Sequence, residues 1–548
     1  MNGGAAFVET LLARGVDTFF TVPGESFLMV LEALRTAGEA GRARTVGVRH
    51  EGGGAFAACA YGRLAAKPAC LIVSRGPGAT NAAIGVHTAQ QESVPLILAV
   101  GQVPTASKGR EAFQEIDPAS LFASLAKAIL EPKSPTEVAA VTARAADLAV
   151  SGRPGPVVIV LPKDITEGEA GDALAPPPAK MEPKIDEAAI LEAANLLRAA
   201  KRPILLAGEL LRRDDDVAAL MALAEASAAP VMAAYRQQDH FPNAHPAYGG
   251  HLEINRAPFQ RQAWEDCDLV VAAGARLDGI STEDFRLLNG NRALIQLFPD
   301  EDVARGRGAR VAVDGDPAAA CRALAARLNE TPPADRQAWR DALHREFLAF
   351  SDPAAARVQG PLDLAQVAAE CRRQAGAGAT IVTDAGSFSR WFHRFCRFDG
   401  VGSQAGPMSG AMGYAVPGGL GAALARPGEK VIAVGGDASF LMTSPDLATI
   451  AEEGIRLVLM VCDNGAHGSI LESQRGKLGD ERAFRTHLRS PDFAVLARAH
   501  GIHAETVTET AQFPAALAAA LAVEGPALLH LKTDIRDVSP FGFGRDAV

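Results

Sequence analysis

The chain has 548 residues, a formal net charge of −10 and an isoelectric point near 5.7. That length predicts about three domains, and a hydrophobic fraction of 48% is ample for large cores. The acidic balance, with no long Lys/Arg block, excludes nucleic acid as the main partner. Seven cysteines are scattered along the chain with no Cys-x-x-Cys pair, which fits reduced thiols in a cytoplasm better than disulfides or a zinc site. The opening residues, MNGGAAFVETLLARG, lack a basic region followed by an apolar one, so no signal peptide is expected. The Ala-rich run at 515–523 is too short to span a bilayer, so no membrane partner is expected either.

Residues 1 to about 170 alternate extended and helical patterns. Apolar runs at 18–22, 45–48, 69–74, 96–100 and 157–161 predict strands, and residues 7–12, 27–34 and 54–64 predict helices. Such alternation predicts a parallel α/β sheet. Proline and charge cluster at 175–183, which reads as a linker. A second α/β unit follows, with strands predicted at 203–207, 230–233, 269–273 and 293–297. Gly208 and Gly274 stand at strand ends, but no complete G-x-G-x-x-G accompanies them, which favours a packing domain. The polar stretch 329–357 reads as a second connection. Strands at 380–383, 430–434, 457–462 and 527–532 mark a third unit. The predicted fold is α/β, with three parallel-sheet domains over residues 1–172, 185–328 and 358–548.

The third unit carries the clearest chemistry. Residues 431–434 form an apolar run that stops at Gly435-Gly436-Asp437, and a helical segment is predicted from Ser444-Pro445-Asp446. A second apolar run stops at Asp463-Asn464-Gly465. A strand–helix–strand unit makes the two strands parallel, so Asp437 and Asn464 leave the same sheet edge. A carboxylate, an amide oxygen and a nearby carbonyl suit a hard cation such as Mg2+. Small residues at Gly436, Ala438 and Ser439 let backbone N–H groups approach a phosphate. The same residues are also ordinary turn and cap chemistry.

Gly436-Asp437-Ala438, with Asp463-Asn464 ending 27 positions after the Asp, resembles the signature of thiamine-diphosphate-dependent enzymes. Ala438 stands where that family usually has Gly, and Asp463 where it has a first Asn. Three α/β units of similar size resemble the acetolactate-synthase-like layout of pyrimidine-binding, middle and diphosphate-binding domains. Arg49-His50-Glu51, Gly76-Pro77-Gly78-Ala79-Thr80-Asn81, Ala112-Phe113-Gln114-Glu115, Gly152-Arg153-Pro154-Gly155-Pro156-Val157 and Gly410-Ala411-Met412-Gly413-Tyr414 carry the resemblance over essentially the whole chain.

The resemblance implies roles. Asp437, Asn464 and the carbonyl of Ala466 would ligate Mg2+. Ala385, Gly386, Ser387, Ala438, Ser439, His467 and Gly468 would surround the diphosphate. Gly410 would offer its carbonyl to the 4′-amino group, and Met412 would hold the cofactor bent; taken alone, that Met reads as core filler. Glu51 would hydrogen-bond the aminopyrimidine and drive proton removal from the cofactor, as general base catalysis routed through it. Without the family, Glu51 reads equally as a first-turn helix acid. Substrate-pocket candidates are Gly24, Glu25, Ser26, His87, Phe113, Gln114, Ile470, Leu471 and Gln474. The family binds cofactor between subunits, which implies a dimer or a dimer of dimers with Glu51 and Asp437 from different chains.

The leading expectation is decarboxylation of a 2-oxo acid followed by ligation to a second carbonyl. The nearest alternative is a 2-oxo acid decarboxylase or 2-hydroxyacyl-CoA lyase using the same cofactor. The segment 104–115 lacks the adjacent histidines of pyruvate-decarboxylase-type enzymes, which favours the ligase. A nucleotide-binding oxidoreductase or a non-catalytic sensor belongs to other classes, and the intact Glu51, Asp437 and Asn464 set argues against both. Arg276-Leu277-Asp278-Gly279-Ile280 lacks the second Asp and Arg of the flavin-holding acetolactate synthases, which leaves FAD open. Donor, acceptor and any regulatory subunit are open as well.

Overall fold

The structure is a computed structural model, described here for residues 1–172, 174, 185–288, 292–328 and 331–541. The predicted linker at 175–183 lies outside the described residues. The first sheet holds β1 (Thr18–Thr21), β2 (Arg44–Gly47), β3 (Ala69–Ser74), β4 (Leu96–Gln102), β5 (Ala128–Leu130) and β6 (Pro156–Pro162), in the order β2-β1-β3-β4-β6-β5. The second holds β7 (Pro203–Ala207), β8 (Val231–Ala233), β9 (Tyr248–His251), β10 (Leu269–Ala273), β11 (Ala293–Leu297) and β12 (Val311–Val313), in the order β12-β11-β10-β7-β8-β9. The third holds β13 (Thr380–Thr383), β14 (Gln404–Ala405), β15 (Val431–Gly436), β16 (Val458–Asp463), β17 (His503–Val507) and β18 (Ala527–Lys532), in the order β14-β13-β15-β16-β18-β17. Every strand pair in the three sheets is parallel.

Central strands such as β3, β4, β10 and β16 are unbroken apolar runs because helices cover both faces of each sheet. The strands absent from the sequence prediction are β5, β9, β12, β14 and β17, and all five are sheet edges. These strands have only two to five residues each, too few for an apolar run to stand out: β14 has two residues, and β17 exposes most of His503-Ala504-Glu505-Thr506. Two other expectations change. The stretch read as a second connection contains the 17-residue helix Ala334–Phe350, whose Phe347 ring meets Tyr248 edge-on at 4.8 Å. The helix expected from Ser444-Pro445-Asp446 is present as Asp446–Glu452, but a second helix, Asp437–Thr443, precedes it. Pro445 has no N–H to continue the first helix's ladder, so the chain breaks there.

The first and third sheets share one core. Their joint is helix Glu51–Ala65 packed against helix Ala415–Ala425. Both are rich in Gly and Ala, so their backbones approach closely. A Cβ at Gly421 would lie 2.1 Å from the carbonyl oxygen of Ala57, and one at Gly53 would lie 1.8 Å from the Asp446 carboxylate. Gly421→Val is therefore expected to lower stability by about 1–3 kcal/mol through overpacking, read as a fall in thermal midpoint. An unchanged midpoint would show that these helices can separate freely.

All three sheets meet at the buried Arg63. Its guanidinium donates to the Gln237 side chain (3.0 Å), the Arg236 carbonyl (3.1 Å) and the Gln404 carbonyl (3.3 Å), and pairs with Asp239. The seven cysteines are buried and free. Among the described residues no helix is long and apolar enough to cross a membrane.

Candidate active site

Three neighbouring strands deliver their following loops to one sheet edge. Thr383 of β13 pairs with Val434 of β15, and Gly436 of β15 pairs with Cys462 of β16. The residues after each strand therefore emerge together, where open α/β sheets bind ligands. Ala385–Ser387, Asp437–Ser439, Asn464 and Ala466–Ser469 line a cavity of about 240 Å3 there, with Gly436 and Cys462 from the strand ends. Ala385, Gly386, Ser387, Gly410, Met412, Asp437, Ala438, Ser439, Asn464, Ala466, His467, Gly468 and Ile470 all line it.

Asp437 is buried, and burial pushes its carboxyl up to about 6. The Ala438 N–H and the Ser490 hydroxyl, which donates to Oδ2 at 3.0 Å, pull the other way, while the nearby Asp463 adds to the rise. Asp463 itself is held well below the ordinary range. Burial opposes this, but His530 at 2.9 Å and Lys532 at 2.6 Å outweigh it. Asp463 thus points back into the sheet and leaves the cavity to Asn464. The Asn464 loop is folded by its own amide, whose Oδ1 accepts from Ala466 N–H at 3.0 Å. A bridge from Ala466 to His487 and a hydrogen bond from Leu488 N–H to the Gly465 carbonyl brace it from outside.

Ser387 is joined to Ser469 through both its N–H (3.0 Å) and its hydroxyl (2.7 Å). Ser469 lies in the first turn of helix Gly468–Leu478, whose N-terminus opens on the cavity and favours an anion. Gly386, Gly410 and Gly413 have φ of +149°, +70° and +90°, a backbone that L side chains rarely adopt.

Sequence reasoning missed Asp384, Ser469 and Ser490. Asp384 is fully buried behind the cavity. Its carboxylate accepts from the N–H groups of Ala385 (2.7 Å), Gly413 (3.0 Å) and Ala415 (2.9 Å). It therefore ties the Ala385–Ser387 loop to the loop bearing Gly410 and Met412. Burial pushes its carboxyl up to about 6 against the pull of those donors. Its place directly after an apolar strand was the available signal. Asp384→Asn leaves a backbone donor facing an amide NH2, so a loss of about 1.5–3 kcal/mol is expected, with weaker ligand binding in the cavity by calorimetry. A variant equal to the parent in both would remove this role.

The first-domain candidates form a separate group, and none of them lines this cavity. Glu51 opens helix Glu51–Ala65, where His50 caps by accepting from Gly52 N–H at 3.0 Å. It is a first-turn acid, as the simpler reading of Glu51 had it. Its carboxylate accepts from Asn81 Nδ2 at 2.9 Å. Gly76-Pro77-Gly78 lies inside helix Arg75–Glu92, where a Cβ on Gly78 would stand 3.3 Å from Glu51 Oε1 and one on Gly76 3.0 Å from the Gln114 carbonyl. Those glycines bring Glu51, Asn81 and the Gln114 loop together. Ser26, directly after Gly24 and Glu25, shares a 2.8 Å hydrogen bond with Ser74 at the same sheet edge. His87 is half-buried on the Arg75–Glu92 helix, and Phe113 is 78% exposed. Of the remaining candidates, Leu471 is fully buried, and Gln474 is engaged with the backbone of Phe484 rather than lining the cavity.

Family models of the thiamine pyrophosphate enzymes match three segments: the N-terminal TPP binding domain over residues 1–121, the central domain over 190–324 and the C-terminal TPP binding domain over 384–531. The chain is 31% identical to the probable acetolactate synthase large subunit of Methanocaldococcus jannaschii, over 98% of this chain and 93% of that protein. It is also 31% identical to the acetolactate synthase isozyme 2 large subunit of Escherichia coli, over 97% and 96%. A solved thiamine diphosphate-dependent 4-hydroxybenzoylformate decarboxylase from Rhodococcus jostii superposes with a TM-score of 0.84 at 25% identity, over 97% of this chain and 99% of the other. With its three parallel sheets and the cavity at the Asp437–Asn464 edge, the chain belongs to the thiamine pyrophosphate enzymes, among their acetolactate-synthase-like members.

Proposed function

We propose that this protein uses thiamine diphosphate and Mg2+ to decarboxylate a 2-oxo acid and join the remaining fragment to a second carbonyl. The observation that carries this reading is the cavity where Asp437, Asn464 and Ala466 converge beside Ser387 and the Gly468–Leu478 helix start. The donor set fits the group. Two oxygen-bearing side chains and a carbonyl suit Mg2+, which keeps phosphate and water as further ligands. Ser387, Ser469 and a helix N-terminus suit a diphosphate.

When bound, thiamine diphosphate supplies an electron sink for the carbon that loses CO2. The chain's own residues do the rest. Asp437 and Asn464 would hold the metal, and Asp384 keeps the two loops around it at fixed spacing. Met412 presents apolar surface to the cavity. Glu51 would hold a proton at the aminopyrimidine nitrogen, with Asn81 fixing its carboxylate. Gly24, Glu25, Ser26, His87, Phe113 and Gln114 would shape the substrate side, with Ile470 from the cavity wall. The chemistry is redox-neutral, so none of its steps takes electrons from a flavin. In the central domain Asp278 caps the turn at Ile280 and Ser281, and Arg276 faces the buried Glu209 at 3.7 Å.

Self-association belongs to this reading. The cavity is lined only by residues between 364 and 538, while Glu51 and the exposed Phe113 lie in the first domain. A second copy would bring its Glu51 to the cavity. The domains would then act as pyrimidine-binding, central and diphosphate-binding units.

The test is incubation of purified protein with thiamine diphosphate, Mg2+ and pyruvate, with products read by NMR. Acetolactate is expected. Acetaldehyde would make the protein a decarboxylase, the activity in the name of the Rhodococcus neighbour. No turnover of pyruvate or of a panel of 2-oxo acids would remove the proposed activity.

A further inference from the structure

Away from the cavity, three side chains of metal-ligating type meet at the seam between the second and third sheets. His251 ends β9, Glu253 follows it, and His393 comes from helix Ser389–Phe395. One ligand atom from each lies within 4.8 Å of the others. His393 Nδ1 is 2.7 Å from Glu253 Oε2, and His251 Nε2 is 3.6 Å from the same oxygen. Each residue is less than a tenth exposed. His251 Nε2 is sealed from solvent, faces the carboxylate and makes no hydrogen bond. Leaving such a nitrogen unsatisfied costs about 1–3 kcal/mol.

The surroundings suit an ion. His393 Nε2 faces the Thr383 hydroxyl at 3.1 Å, so an Nε2–H donated there fixes the ring and frees Nδ1 to ligate. Gln260 donates to the His251 carbonyl at 2.9 Å and holds that strand end. The buried Arg236 gives its hydrogen bonds to Tyr235, Thr383 and Asp384.

We infer that His251, Glu253 and His393 form a second metal site, selective for a zinc-like divalent transition ion, that ties the central domain to the third. Two imidazoles and a carboxylate are zinc ligands, whereas Mg2+ prefers the all-oxygen set at Asp437. With Zn–ligand bonds of about 2.0–2.1 Å, tetrahedral ligand atoms stand about 3.3 Å apart. The two close spacings of 2.7 and 3.6 Å bracket that value. The fourth position is left to water or a neighbouring group. Because Thr383 leads into Asp384, the ion stiffens the strand that carries the Ala385–Ser387 loop.

The test uses the full chain, made without a metal-affinity tag, stripped by chelator and saturated with thiamine diphosphate and Mg2+. Co2+ is then titrated as a spectroscopic probe. One equivalent per chain is expected to give the visible bands of four-coordinate Co2+, and Zn2+ should abolish them. His251→Gln and Glu253→Gln should each weaken this binding by about tenfold or more, with circular dichroism and thiamine diphosphate binding as in the parent. No such bands in the parent, or bands that persist unchanged in both variants, would overturn the site and leave a hydrogen-bonded triad.

Discussion

Glu51→Gln is expected to keep the fold and lower turnover by about 10²–10⁴-fold, the range typical of a lost general acid–base group. The amide is nearly isosteric and can still accept from Asn81, so the helix start at His50–Gly52 is preserved. What it loses is the carboxylate that would share a proton with the aminopyrimidine ring. Thermal midpoint and Mg2+ affinity should therefore stay near the parent values while the rate falls. Parent-like turnover would sink the assignment of Glu51.

Asp437→Asn should fail at an earlier step. Removing a group that merely orients a metal ligand costs about 10–100-fold in affinity, so losing the ligand charge itself is expected to exceed that. Calorimetry with Mg2+ and thiamine diphosphate would read the loss. The parent should also show a pH dependence that the variant lacks. Burial holds the Asp437 carboxyl at about 6, above its ordinary value of 3.8. Metal binding needs the carboxylate, so its affinity levels off about a unit above pH 6 and falls roughly tenfold per pH unit below it. A parent whose Mg2+ affinity is flat from pH 5 to 7 would contradict this. The two variants also test the shared site. Mixed after dissociation, Glu51→Gln and Asp437→Asn chains should regain about a quarter of parental turnover, because half the dimers would be mixed and each would hold one intact site. No recovery in a mixture shown to exchange subunits would place both residues in one chain's site.

Much of this was legible from one sequence. Apolar runs at β3, β7, β10, β11, β13 and β18 matched the strands residue for residue, because a buried parallel strand has no polar face to interrupt it. The Gly436-Asp437 and Asp463-Asn464 turns pointed to the cavity, since strand ends are where glycine and short polar side chains concentrate. Ser490 was not legible: it reaches Asp437 from 53 positions away, across an irregular segment with no periodic signal. Asp384 looked like a strand-end turn residue, and nothing local says that its carboxylate holds Gly413 and Ala415.

Local pattern along the chain was enough for the α/β class, the order of the three units, and the residues that leave β15 and β16 together. Each depends on local pattern and on the handedness of a strand–helix–strand crossover. It took the packed chain to show that Glu51 does not line the cavity that holds Asp437, that Asp463 is spent on His530 and Lys532, and that His251, Glu253 and His393 converge. Those facts depend on which distant segments are packed side by side, and on burial that changes the charge state of a carboxyl or an imidazole. Neither is encoded in the spacing of neighbours along the chain.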